Sequence, residues 1–145
     1  MDLKEFKKVK EKFMKDGQNV IAKEFKAFFA DYPSIDAIRW EQYAPSFNDG
    51  EPCEFSRHEF NVRVTPKKND KEEIGTAELI SAEESDEDGF YYGYDIDNKT
   101  PLGKALSELE DRFAGVDDVF REAFGDSVTV TVTRKGFKTE DCYHD

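Results

Sequence analysis

Apolar residues change their spacing several times along the chain, and each change marks an element. Leu3, Phe6, Val9 and Phe13 recur at helical intervals in a Lys-rich background. Asp2 stands where an N-cap would accept a backbone bond. Gly17 interrupts this stripe, and Val20, Ile21, Phe25, Phe28 and Phe29 form a second one that stops at Tyr32-Pro33, because the residue before proline disfavours the α region. The pattern predicts two helices, either a hairpin or one bent helix.

From Asp36 the period becomes two. Ile38, Trp40 and Gln42 alternate with Ala37, Arg39, Glu41 and Tyr43, and later Phe60, Val62 and Val64 alternate with Glu59, Asn61 and Arg63. Asn48-Asp49-Gly50 lies between them and tolerates positive φ, so a hairpin with a long tip is expected. Residues 66–75 are polar and turn-forming and read as an exposed loop. Thr76 to Ser81 is expected as a strand paired with Phe90 to Ile96, whose Phe90, Tyr92 and Tyr94 would share one face. Glu83 to Gly89 is the acidic connection between them.

Thr100-Pro101 is a helix start, with Thr as N-cap and Pro where no amide hydrogen is needed. Leu102, Leu106, Leu109 and Phe113 continue that helix; after Gly115, Val116, Val119, Phe120 and Phe124 resume it until Gly125. Val128, Val130 and Val132 then alternate strictly with threonines, and residues 137–143 are expected to return beside them after Lys135-Gly136. With no βαβ rhythm, this order predicts one α+β domain over residues 1–145. It has a mainly antiparallel sheet of four to six strands, N-terminal helices, and a long or broken C-terminal helix, all packed on one face.

Composition sharpens this reading. Apolar and charged residues each make up 37% of the chain, so thirteen Phe, six Tyr and one Trp must supply most of the core. No apolar run approaches a membrane span, the amino terminus lacks a signal-peptide core, and Cys53 and Cys142 lack a disulfide scaffold's spacing. These features predict a cytoplasmic chain with free thiols. The net charge of −12 argues against direct contact with nucleic acid or an anionic membrane. That charge is local: residues 1–31 carry eight Lys and six acids, net +2, whereas residues 83–126 carry fourteen acids and four bases, net −10.

Residues 40–55 contain Trp40, Gln42, Tyr43, Pro45, Phe47, Asn48, Asp49, Gly50, Pro52 and Cys53. This pattern resembles a segment of small uncharacterised proteins of bacteriophages and bacterial mobile elements. The resemblance implies an origin and carries no catalytic residue. On the residues themselves, Trp40, Tyr43, Phe47 and Phe55 are expected to pack beneath a tip shaped by Pro45, Gly50 and Pro52. As a binding loop, Trp40, Tyr43, Phe47, Asn48 and Asp49 would instead line a pocket for a nucleotide or metabolite, together with the Tyr-rich strand.

Metal and catalytic chemistry have less support. Glu84, Asp86, Asp88, Gly89 and Asp95 match part of a calcium-loop template, but position 12 is Asp and the flanks read as strands. Cys53 with His58, and Cys142 with His144, lack zinc-knuckle spacing. There is no nucleophile elbow, phosphate loop, zincin helix or dinucleotide fingerprint, so no catalytic residue, metal or cofactor is assigned.

What remains is a carboxylate-rich region with tyrosines: Glu83, Glu84, Asp86, Glu87, Asp88, Tyr91, Tyr92, Tyr94, Asp95 and Asp97, followed by Glu108, Asp111, Asp117, Asp118 and Glu122. A firm carboxylate array competes for Lys and Arg grooves that bind phosphate, and tyrosines add interface area. The expectation is a non-enzymatic, phage-type inhibitor that occludes a basic, nucleic-acid-binding host defence protein by mimicking nucleic acid.

Overall fold

The computed structural model describes residues 1–43, 55–64 and 85–141. The chain forms a long helix α1 (Leu3–Asp31), strands β1 (Ile35–Tyr43), β2 (Ser56–Arg57), β3 (Asn61–Val64) and β4 (Phe90–Tyr91), and a 3-10 turn (Gly93–Asp95). Helices α2 (Pro101–Arg112) and α3 (Asp117–Phe124) follow, then the hairpin β5 (Val128–Thr133) and β6 (Gly136–Asp141). All strand pairs are antiparallel, in the order β4-β3-β1-β5-β6, with β2 also pairing with β1. This is the α+β architecture expected from the chain's periodicity. No helix among the described residues is long and apolar enough to cross a membrane.

β1 is the axis of the sheet. It pairs Ile38 with Val62 on one side and Ile38, Trp40 and Gln42 with Val132, Val130 and Val128 on the other. Its inward residues meet the apolar sides of the three described helices in one cluster that includes Phe25, Phe28, Leu102, Leu109, Phe113 and Phe120. Trp40 sits at the centre, stacked on Phe25 at 5.4 Å and met edge-on by Phe60, Phe120 and Phe124. The outward face carries Arg39, Arg63, Thr129, Thr131, Thr133 and Lys138 around an open groove of about 630 Å³.

Of the two arrangements expected for the first helical stretch, a hairpin and one bent helix, the hairpin is excluded. Residues 3–31 are one helix, opened by the Asp2 side chain, which accepts the Glu5 N–H at 2.8 Å. Gly17 does not break it, because the cost of glycine in a helix, about 1 kcal/mol, is offset by packing. A Cβ at Gly17 would lie 3.3 Å from Val119 Cγ1, so its absence lets α3 approach. The second correction concerns residues 90–96. Only Phe90–Tyr91 is strand, and it pairs with β3. Gly93 then turns the chain so closely past the Phe60 carbonyl that a Cβ would lie 2.2 Å from its oxygen. Phe90, Tyr92 and Tyr94 therefore do not share a strand face: Phe90 is buried beneath the Arg39 and Arg63 guanidiniums, while Tyr92 stacks on an exposed Tyr94. The expected hairpin tip, the loop 66–75, the strand 76–81 and residues 142–143 lie outside the described residues.

Gln42 is fully buried, and its amide is satisfied on both sides. Its Nε2 donates to the Phe120 and Gly125 carbonyls at 2.9 and 2.8 Å, and its Oε1 accepts the Trp40 indole N–H at 3.0 Å. Replacing it with Leu strands an indole donor and the carbonyls at the end of α3, each a desolvated group worth about 1–3 kcal/mol. Gln42→Leu is expected to lower the unfolding free energy by roughly 2–4 kcal/mol, read from urea denaturation; an unchanged midpoint would show that the amide is dispensable.

Candidate functional site

The predicted carboxylate region divides into two sets with different fates. Asp86, largely covered, and Asp88, still exposed, both pair with Arg39. Asp86 also builds the turn before β4: its Oδ1 accepts the N–H groups of Asp88 and Phe90 at 2.9 and 3.0 Å. Burial pushes this carboxyl up, but the Phe90 N–H, the Arg39 charge and the Asp88 N–H outweigh it and hold it below the ordinary aspartate value. One guanidinium thus serves two carboxylates: Asp86 is part of the scaffold, while Asp88 stays exposed and the set keeps one net negative charge. Their geometry also departs from the calcium template, because Asp86 and Asp88 serve Arg39 while Asp95 lines a different cleft. Among the described residues, no three His, Cys, Asp or Glu side chains are placed to hold a metal.

The second set converges. Asp95 and Asp97 from the 3-10 turn, Glu110 and Asp111 from α2, and Glu59 from the entrance to β3 line one groove of about 540 Å³. Phe60, Ile96 and Leu106 are buried in its wall and floor, and Tyr94 stands at its rim, 68% exposed. Tight backbone packing holds the turn. Asp97 accepts the Lys99 N–H, and Thr100 caps α2 by accepting the Gly103 N–H while its hydroxyl donates to the Asp97 carbonyl. A Cβ on Gly103 would lie 2.0 Å from that carbonyl oxygen, so only glycine lets the acidic turn lie on the helix.

Glu110 and Arg57 form the hinge post of the groove. Glu110 Oε1 accepts the Phe60 N–H at 2.7 Å, and Oε2 pairs with Arg57 at 2.8 Å. Arg57 is almost wholly buried, with its guanidinium over the Phe60 and Phe120 rings at 4.4 and 5.1 Å. Asp95 Oδ2 is buried without a hydrogen-bond donor among the described residues, and Glu59 and Asp111 form no salt bridge to a described residue. The groove is thus an acidic rim over an apolar floor, with Arg57 committed to Glu110.

Other candidates lie elsewhere. Glu87 and Glu108 are exposed, and Glu108 borders the cleft between α1 and α2. Asp117 and Asp118 occupy the first turn of α3, where they favour the helix dipole. Tyr91 and Tyr92 pack against the body. Trp40 is corrected as a ligand residue: with no exposed surface, it belongs to the core. Tyr43 stacks on His58 at 4.8 Å. Glu83, Glu84, Phe47, Asn48, Asp49, Cys53, Cys142 and His144 lie outside the described residues. Sequence reading missed Glu59 and Glu110 as groove residues, since their convergence needs contacts across about fifty positions and leaves no local pattern. No family model, curated protein or solved structure matches the chain.

Two measurements follow from this geometry. A carboxyl held below its unfolded value stabilises the fold above the unfolded pKa, about 3.9, and that contribution is lost as pH falls through the folded value. The Tm advantage of wild type over Asp86→Asn is therefore expected to be constant near neutrality and to fade below about pH 4; an advantage that grew with acid would contradict the assignment. Gly103→Ala forces a Cβ onto backbone and is expected to cost roughly 2 kcal/mol net of its helix-propensity gain, read from chemical denaturation.

Proposed function

We propose that the chain is a non-enzymatic binding protein that engages a basic surface of a partner protein, of the kind that holds nucleic-acid phosphate, through its acidic groove. The observation that carries this reading is the convergence of Glu59, Asp95, Asp97, Glu110 and Asp111, from three separated segments, around an apolar floor. Carboxylates fixed by a packed scaffold attract Lys and Arg with little ordering cost, and such groups form charge-assisted bonds to guanidinium and ammonium. The floor of Phe60, Ile96 and Leu106 suits an apolar side chain flanked by cations, and exposed Tyr94 offers an aromatic anchor of the type enriched at binding hot spots. Within this reading, occupation of the partner's basic groove excludes its nucleic acid, so the protein acts as an inhibitor. The resemblance of residues 40–55 to phage and mobile-element proteins makes a host nucleic-acid-binding protein the class to test first.

The test uses tagged full-length protein to capture partners from host lysate, with fluorescence anisotropy of a Lys/Arg-rich peptide bearing one Leu or Phe as a direct probe. Binding is expected to weaken steadily with salt. Combined Asp95→Asn, Asp97→Asn and Asp111→Asn is expected to weaken it about tenfold or more, at roughly 0.5–1 kcal/mol per exposed contact. Asp86→Asn and Asp88→Asn are expected to leave binding nearly unchanged, since Arg39 already occupies those carboxylates. Salt-indifferent binding, or a loss confined to the Asp86 and Asp88 variants, would overturn the assignment.

A further inference from the structure

α1 is longer than the body that covers it. Ile21, Phe25, Phe28 and Phe29 enter the core, and Gly17 and Gln18 touch α3, where the Gln18 amide donates to the Ala123 carbonyl at 2.7 Å. Residues 1–13 are all exposed. The helix from Leu3 to Phe13 is therefore an arm roughly 15 Å long, held at its base and bare along its length.

This arm is not polar all round, as a helix meant only for water would be. Leu3, Phe6, Val9 and Phe13 are 67%, 57%, 53% and 51% exposed, and Val20 continues their line at 62%. Phe6, Phe13 and Val20 recur every seven residues, the spacing of a seam between two helices. Leu3 lies in line with Ile21, but Phe6, Val9, Phe13 and Val20 are rotated away from the face that carries Ile21 and Phe25, so most of the stripe is not the core face running past its covering. Lys4, Lys8 and Lys15 lie on the opposite side, Glu5, Lys12 and Asp16 along one edge, and Lys7 and Lys10 along the other.

We infer that this stripe is a self-association surface whose occupant is the same stripe on a second copy of the chain, with the two arms parallel. Area supports a second copy. Five side chains, each more than half bare, expose on the order of 500 Å², toward the upper end of the largest apolar patch on a monomer, which is often functional. Pairing two such stripes buries about 1,000 Å², the size at which specific association begins. Charge supports the orientation. A parallel pair sets Glu5 of one arm against Lys10 of its partner, whereas an antiparallel pair sets the Lys7 and Lys10 edge against itself. An anionic bilayer fits less well, because residues 1–31 carry only +2 of a net −12, which leaves −14 on the remainder. This inference is independent of the acidic groove, which lies on α2 and the 3-10 turn.

The experiment is sedimentation velocity of the full chain from about 5 to 200 μM. Dimerisation is expected for wild type and for Phe6→Leu with Phe13→Leu, and a loss of at least about tenfold for Phe6→Glu with Phe13→Glu. The unfolding midpoint, extrapolated to the monomer, is expected to stay unchanged, because neither side chain touches the core. Leu3→Cys, with Cys53 and Cys142 replaced by Ser, is expected to form a disulfide between copies on mild oxidation, since parallel arms place the two positions together. A wild-type chain that stays monomeric throughout, a dimer that survives the Glu pair, or a monomer that co-sediments with phosphatidylserine vesicles would each overturn the proposal.

Discussion

The buried amide of Gln42 is the constraint from which the arrangement propagates. In a dry aromatic core, a primary amide is tolerated only if its donors and acceptor are all met. Here they are met by groups on two elements: the Trp40 indole on β1, and the Phe120 carbonyl of α3 with that of its C-cap, Gly125. That requirement fixes the end of α3 over the middle of the sheet and places Phe120 against Trp40. Phe120 and Phe60 in turn hold the Arg57 guanidinium, which pairs with Glu110 on α2. The position of α2, and with it one wall of the acidic groove, is thus tied through a chain of directional contacts to one side chain at the sheet axis.

A comparable device closes the other end of the molecule. Arg134, in the turn between β5 and β6, donates to the carbonyls of Phe29, Tyr32, Pro33 and Ile35 and lies over the Phe29 ring. A cation at a helix C-terminus meets carbonyls that have no helical partner and complements the dipole. The covered half of α1 is therefore fixed at Gly17 by close packing and at Tyr32 by a guanidinium, which leaves the amino-terminal arm as a rigid extension of a clamped helix.

What the sequence revealed depended on how local each signal is. Asp2 and Thr100 were legible as caps because a cap is decided within four residues, and β1, β3 and β5 because alternation of Ile38, Trp40 and Gln42, or of Val128, Val130 and Val132, permits one pairing face. Gly17 was misread because its meaning lies in Val119, about a hundred residues away. Residues 92–96 were misread because the close approach of Gly93 to the Phe60 carbonyl overrides the strand preference of alternating tyrosines. The same limit applied to the carboxylates: composition located their excess, but only the register of β3 with β1 and β4 reveals that Asp86 and Asp88 fall on Arg39.

This partition of acids gives the net charge a structural meaning. An acid paired with a guanidinium contributes to the fold and little to the outward field, so the local charge that matters is the part left unpaired. Glu59, Asp95 and Asp111 line one rim, and like charge of itself favours separation. The scaffold opposes this through contacts that do not depend on charge: a glycine under the Asp97 carbonyl, a Thr cap on α2, and the buried side chains of Ile96 and Leu106 beneath the turn. An acidic arrangement held by packing is pre-organised for a cation, because the approaching charge need not order the groups that meet it. The physical case for the groove as a binding surface therefore rests less on the number of carboxylates than on the uncharged contacts that keep them together.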